Sequence, residues 1–195
     1  LAPHQVVIVP IYKSDEQRKQ VVDRAKELKT SLETMDIRVK LDDRDTQKPG
    51  WKFAQYELKG VPLRIAIGPK DIENNTVELA RRDTLTKEFI RQDDLVTVVK
   101  RELSQIQIDL FQKAKQFRDN HITQVNSFDE FKEVIERKGG FISAHWDGTQ
   151  ETEDKIKELT KATIRCLPFD SDSQAGKCVL TGNPSKQRVL FAKAY

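Results

Sequence analysis

Val6, Val7, Ile8 and Val9 form an unbroken apolar run, with Ile11 just beyond Pro10, before a polar turn follows. Such a run marks a strand covered on both faces. Ser14 then reads as an N-cap and forms a capping box with Gln17, and Val21, Val22, Ala25, Leu28, Leu32 and Met35 recur at helical spacing. Ile37 and Val39 alternate with charged neighbours as a second strand, and a polar, turn-rich stretch runs from Asp42 to Pro49. The pattern predicts a short helix from Lys52 to Lys59, stopped by Gly60, and a strand from Leu63 to Ile67, stopped by Gly68 and Pro69. Val77, Leu79 and Arg81 alternate as a further strand, and Asp83 to Lys87 reads as a turn. Strands and helices in alternation predict an α/β fold in which helices flank a mixed central sheet.

From Leu95 the period lengthens. Leu95, Val99, Leu103, Ile106, Leu110, Ala114 and Phe117 recur every three or four residues, which predicts a long helix with one apolar face leading into a second unit. Ser127 and Glu130 open another helix carrying Phe128, Phe131, Val134 and Ile135, ended by Gly139 and Gly140. Phe141, Ile142 and Ala144 suggest a strand, Glu151 to Thr160 a helix, and Val189 to Phe191 a last strand. Asp170 to Gly176 is the most loop-like stretch. The expected organisation is a first domain over residues 1–105, a helical connection over 106–126, and a smaller α/β domain over 127–195.

Composition narrows the function classes. With 195 residues and 37% hydrophobic content, the chain can bury one good core and a smaller second one. Charged residues make up 33%, yet the net charge is only +3, so nucleic-acid binding would need a local basic face. No apolar stretch is long enough to span a bilayer, and Leu1-Ala2-Pro3-His4 is no signal peptide. The expected setting is soluble and cytoplasmic, with no membrane partner. Cys166 and Cys178 fall short of a disulfide framework and fit a reduced compartment. The first residue is Leu and a strand follows almost at once, which suggests a piece of a longer protein. A nucleophile elbow, a P-loop and a Gly-rich dinucleotide loop are all missing from the sequence.

Residues 50–71 carry the most pointed chemistry. Phe53 and Glu57 lie four apart on the short helix and share a face, Arg64 sits on the next strand, and Lys70 and Asp71 lie just past its end. A carboxylate can accept both donors on guanine's Watson–Crick edge, Arg or Lys can donate to O6 and N7, and an aromatic can stack on an unpaired base. Trp51 is expected in the core instead, as is Cys166.

Four ordered segments then resemble the C-terminal half of prolyl-tRNA synthetases: Leu1 to Pro10, Gly50 to Asp71, Arg165 to Phe169, and Phe191 to Tyr195. The archaeal and eukaryotic type, which some bacteria also use, is the closer likeness because it carries an extra domain after the anticodon-binding domain. The resemblance implies recognition of tRNA(Pro), whose anticodons share two guanines, by Phe53, Glu57, Arg64, Lys70 and Asp71. Arg81 or Arg82 matches the neighbourhood of another family contact. It also implies a parent enzyme, expected to be a homodimer, that uses ATP and magnesium in a class II core upstream of this chain. The fragment itself is expected to hold no cofactor and to be inactive alone. The rival reading is a non-catalytic RNA-binding accessory module related to synthetase anticodon domains.

The same family often holds a zinc ion with four cysteines in its last domain. The corresponding positions here are Asp147, Thr152, Cys178 and Thr181, so a single thiolate survives and zinc is expected to be absent. His145 is expected to be a satisfied strand histidine. In place of metal, packing is expected from Phe128, Phe131, Ile142, Trp146, Ile156 and Phe169. The family's terminal tyrosine carboxylate reaches toward its own catalytic domain, which implies a supporting role for Tyr195.

Overall fold

The computed structural model describes residues 2–169 and 174–194, and the chain divides into two compact units, Leu1–Phe111 and Gln112–Tyr195. In the first unit the order is β1 (Val6–Pro10), α1 (Asp15–Glu33), β2 (Val39–Leu41), α2 (Pro49–Leu58), β3 (Leu63–Ile67), α3 (Pro69–Glu73), β4 (Thr76–Arg81) and β5 (Lys87–Arg91). Helix α4 (Leu95–Asn120) follows. The strands form one mixed sheet in the order β2-β1-β3-β4-β5, parallel from β2 to β3 and antiparallel from β3 to β5.

Strand parity distributes the side chains between two layers, because successive residues point to opposite faces. Val6 and Ile8 join Leu63, Ile65, Ile67, Val77 and Leu79 in a core shared with α1 and α4. Val7 and Val9 face the other way, onto Tyr56, Val61 and the partly buried Phe53. The sheet is therefore covered on one face by α1 and α4 and on the other by α2. Helix α1 starts where expected: Ser14 Oγ accepts from the Gln17 amide, and Gln17 returns a bond to the Lys13 amide. It ends at Glu33, so Met35 lies beyond it and is exposed.

The second unit continues with β6 (Ile122–Gln124), α5 (Phe128–Glu133), a π-helical stretch Val134–Lys138, β7 (Phe141–His145), α6 (Gln150–Thr160), β8 (Ala162–Cys166), β9 (Gly176–Lys177), β10 (Pro184–Ser185) and β11 (Arg188–Lys193). Four strands pair in the order β6-β7-β11-β8. Phe131 and Phe191 meet edge to face at 5.2 Å in its core, with Ile142, Ala144, Ile156 and Val189 around them. His145 is buried against Ser185, whose hydroxyl lies 3.1 Å from its Nδ1. Burial and the nearby Arg188 charge both lower its pKa.

Several expectations fail for identifiable reasons. Strands β5, β6 and β8 are not legible in the pattern, and all three lie at sheet edges, where less of each strand is covered. Phe169 and Cys166 are exposed rather than buried, and Phe128 and Trp146 are only partly buried. In α4 the buried stripe ends at Ile106, while Leu110, Ala114 and Phe117 are exposed. Of the expected loop, residues 170–173 lie outside the described residues, and Gly176 opens β9. Tyr195 also lies outside them.

Candidate nucleic-acid interface

Helix α2 begins with Pro49 at a position that needs no amide donor, and Gly60 at φ 75° allows the tight turn that sends the chain into β3. At about 100° per residue, Phe53 and Glu57 fall on one flank of this helix and Trp51, Gln55 and Lys59 on the other. On β3 the odd residues Leu63, Ile65 and Ile67 point into the α1–α4 core, so Arg64 emerges on the α2 face. Its guanidinium lies 3.6 Å from the Phe53 ring centroid and pairs with Glu78 of β4 at 3.1 Å. Arg64 is only 7% exposed, so one face of Phe53 is already occupied by a fixed cation.

Parity also separates Arg81 from Arg82. Arg81 continues the series Val77, Leu79 and points toward α4. There Asp83, Glu102 and Asp109 bind its guanidinium at 2.7, 2.9 and 2.7 Å. The bond to Asp83, joined by those to Asp109 and Glu102, raises its pKa despite burial. Arg82 emerges on the α2 face, is exposed, and donates Nε to the Glu57 carbonyl at 2.7 Å, which leaves its terminal nitrogens unbound among the described residues. The carboxylate of Glu57 is exposed and makes no hydrogen bond or ion pair among the described residues.

Phe53, Glu57, Arg64 and Arg82 thus line one depression, with Val7, Tyr56, Val61, Pro62 and Ala80 completing it; Arg81 borders it, but its guanidinium is turned to the opposite face. The depression holds about 20 Å³, the room of a single water, so a base would lie across its rim. Lys70 and Asp71 do not line it. Lys70 is exposed on α3, while Asp71 accepts the Gly68 amide at 2.7 Å and so caps that helix. Sequence reasoning did not single out Glu78, although its parity on β4 places it on the face of Arg64.

Trp51 is 47% exposed instead of lying in the core, and the Arg44 guanidinium sits 5.5 Å from its ring. Beneath them Lys52 and Asp42 are both buried. Lys52 Nζ donates to the carbonyls of Asp42, at 3.0 Å, and Arg44, while Arg44 reaches the Asp42 carboxylate through two nitrogens at 2.8 and 2.6 Å.

In the second unit, three of the four positions that the resemblance aligns with zinc ligands, Asp147, Thr152 and Thr181, converge through hydrogen bonds. Asp147 Oδ2 accepts from Thr152 Oγ1 at 2.9 Å and Thr181 Oγ1 at 2.8 Å, and Oδ1 accepts from Thr149 Oγ1 at 2.9 Å. Burial pushes this carboxyl up, but the hydroxyls of Thr181, Thr149 and Thr152 outweigh it and hold the pKa down at about 2. Cys178 is buried. Neutral hydroxyls around one carboxylate, with one cysteine, do not fit a zinc ion, which takes thiolate, imidazole or carboxylate donors. No group of three or more His, Cys, Asp or Glu is placed to hold a metal among the described residues.

The carboxylate instead clasps the start of α6 to the turn at Thr181. Asp147→Ala is expected to lower the stability of this unit by about 2 kcal/mol, the worth of hydrogen bonds to a charged group. In the native protein that contribution is complete above about pH 4 and fades as pH falls toward 2, since the folded pKa is the lower one. Thermal melts of the two proteins across that range test it. A constant difference down to pH 2 would contradict the clasp.

Comparison with known proteins defines the class. Residues 5–102 match the anticodon binding domain model, and residues 128–195 match the model of the prolyl-tRNA synthetase C-terminal domain. The chain belongs to the prolyl-tRNA synthetase family, of which it carries these two domains. It is 66% identical over its whole length to the proline-tRNA ligase of Christiangramia forsetii, 63% to that of Flavobacterium johnsoniae and 57% to that of Porphyromonas gingivalis strain ATCC 33277. The chain spans 40%, 40% and 39% of those relatives' lengths.

Proposed function

We propose that this chain selects tRNA(Pro) for a proline-tRNA ligase by reading the two shared anticodon guanines on the α2 face of the first unit. The observation that carries the reading is the pairing of Glu57 with Arg82. An unengaged carboxylate and an anchored guanidinium stand together on one rim, which is the donor and acceptor set a guanine requires. Glu57 accepts from N1–H and N2–H of one guanine, and the free nitrogens of Arg82 donate to O6 and N7 of the same or the neighbouring base. Phe53, backed on one face by the Arg64 guanidinium, supplies a flat surface on which an unpaired base can stack. Lys70 is available to donate from α3, Asp71 supports that helix, and Arg81 braces β4 against α4.

In the parent enzyme, proline would be joined to the tRNA with ATP and magnesium through prolyl-adenylate, outside this chain, in a cytoplasmic homodimer taking part in protein synthesis. The C-terminal unit would serve without zinc, and Tyr195 would support the catalytic domain through its terminal carboxylate. No helix among the described residues is long and apolar enough to cross a membrane.

Titration with proline anticodon stem-loops, at one fixed salt concentration, tests the reading. Replacing either shared guanine is expected to weaken binding by roughly 5- to 150-fold, from about 1–3 kcal/mol per bidentate contact. Equal affinity for all stem-loops would overturn it.

A further inference from the structure

The flank of α2 opposite Glu57 carries a second set of cations that the guanine site does not use. Two adjoining hollows of about 240 and 300 Å³ lie there, sharing Lys40, Tyr56 and Lys59, and the first is also lined by Leu41, Asp42, Asp43 and Arg44. Lys40 lies on β2 next to Val39, which points into the α1–α4 core, so its side chain emerges on the α2 face. Lys59 rests its ammonium 5.4 Å from the Tyr56 ring.

Neither lysine has a carboxylate partner among the described residues, although most arginines of this unit are ion-paired. Of the two acids in the hollow, Asp42 is buried and bound by Arg44 and Lys52, which leaves Asp43 as the opposing surface charge. At the side, the exposed Trp51 lies beside the Arg44 guanidinium. Free cations interleaved with an exposed aromatic form a surface that tracks a single strand, through phosphates on the lysines and a base on the ring. A protein partner would more often be met by an apolar centre depleted of lysine.

We propose that this hollow is a second RNA contact, in which Lys40 and Lys59 hold phosphates of the unpaired strand continuing from the guanines and Trp51 stacks one of its bases. The proposal rests on the guanine-reading assignment for the direction of the strand, but it makes a separable demand. Guanine contacts discriminate between sequences, whereas phosphate contacts set affinity and its salt dependence.

The test is a double variant, Lys40→Gln with Lys59→Gln, titrated against native and guanine-replaced proline anticodon stem-loops over a range of salt. Affinity is expected to fall by the same factor for all stem-loops. The slope of log K against log salt should shrink by roughly 1.4, or about 0.7 for each single-strand phosphate that the variant no longer neutralises. Trp51→Ala is expected to weaken binding about tenfold, because the base has no ring to stack on, with the slope unchanged. Both lysines are exposed, so an unchanged thermal midpoint confirms folding. An unchanged slope and affinity in the lysine variant would overturn the proposal even if guanine discrimination is intact. A reduced slope would support it even if guanine replacement had no effect on the native protein.

Discussion

Asp42→Ala is expected to destabilise the first unit by about 3–5 kcal/mol, the cost of stranding a buried charge, enough to lower its melting midpoint by roughly 10 °C or more. Asp42 is 1% exposed and Lys52 2%, so neither can turn to water without moving β2 away from α2. Burial pushes the Asp42 carboxyl up, yet Arg44 and Lys52 together bring it below its ordinary value. Burial also lowers the Lys52 pKa, a shift that Asp42 opposes. Without Asp42 that shift deepens.

The variant therefore carries a distinctive pH signature. A lysine whose folded pKa is below its unfolded value destabilises the fold while charged, and the unfolded chain binds more protons between the two values. Stability then rises with pH in that window. The variant should recover part of its deficit as pH rises toward 10, when Lys52 becomes neutral inside the protein. Chemical denaturation at pH 7 and pH 9.5 measures this. A deficit that is small, or that grows with pH, would contradict the buried pair.

Glu57→Ala is expected to do the reverse, leaving the fold alone and removing selection. Its carboxylate is exposed and unengaged among the described residues, so truncation leaves no buried polar group behind, and stability should stay within about 0.5 kcal/mol of native with the thermal midpoint nearly unchanged. Affinity for the native anticodon stem-loop should fall by roughly 5- to 150-fold, which corresponds to about 1–3 kcal/mol for a bidentate base contact. Discrimination should vanish at one guanine and persist at the other. Arg82 stays anchored, because Nε is held by the Glu57 main-chain carbonyl, which the substitution does not touch. Undiminished discrimination at both guanines would remove Glu57 from the site.

The contrast between these two residues shows how far residue pattern reaches. Elements with strong periodicity were legible: β3 matches its expected span, and α1 begins at the cap that Ser14 and Gln17 define. The candidate site was legible as residue types around α2 and β3, because Phe53 and Glu57 share a helical face. The ambiguity between Arg81 and Arg82 was in principle soluble from Val77 and Leu79, which assign the odd positions of β4 to the buried layer. What pattern did not show was occupancy. Arg64 was expected as a base donor, but Glu78 and Phe53 already hold it, and Asp71 is spent on capping α3.

Local chemistry in the sequence thus determined the α/β class, the order of the main elements, the departure from a four-cysteine metal site and the resemblance to a synthetase C-terminal half. Those properties depend on residue identity and near-neighbour spacing, which periodicity and capping express directly. Only the tertiary structure decided which charges are free. Among the described residues, Lys40, Lys59 and the Glu57 carboxylate are left without a charged partner and Arg82 is held only through Nε, whereas Arg81, Arg64, Asp42 and Lys52 are consumed, because strand pairing and layer packing bring together partners far apart along the chain. The same long-range convergence placed Thr181 on Asp147, so that one carboxylate ties together two turns far apart along the chain.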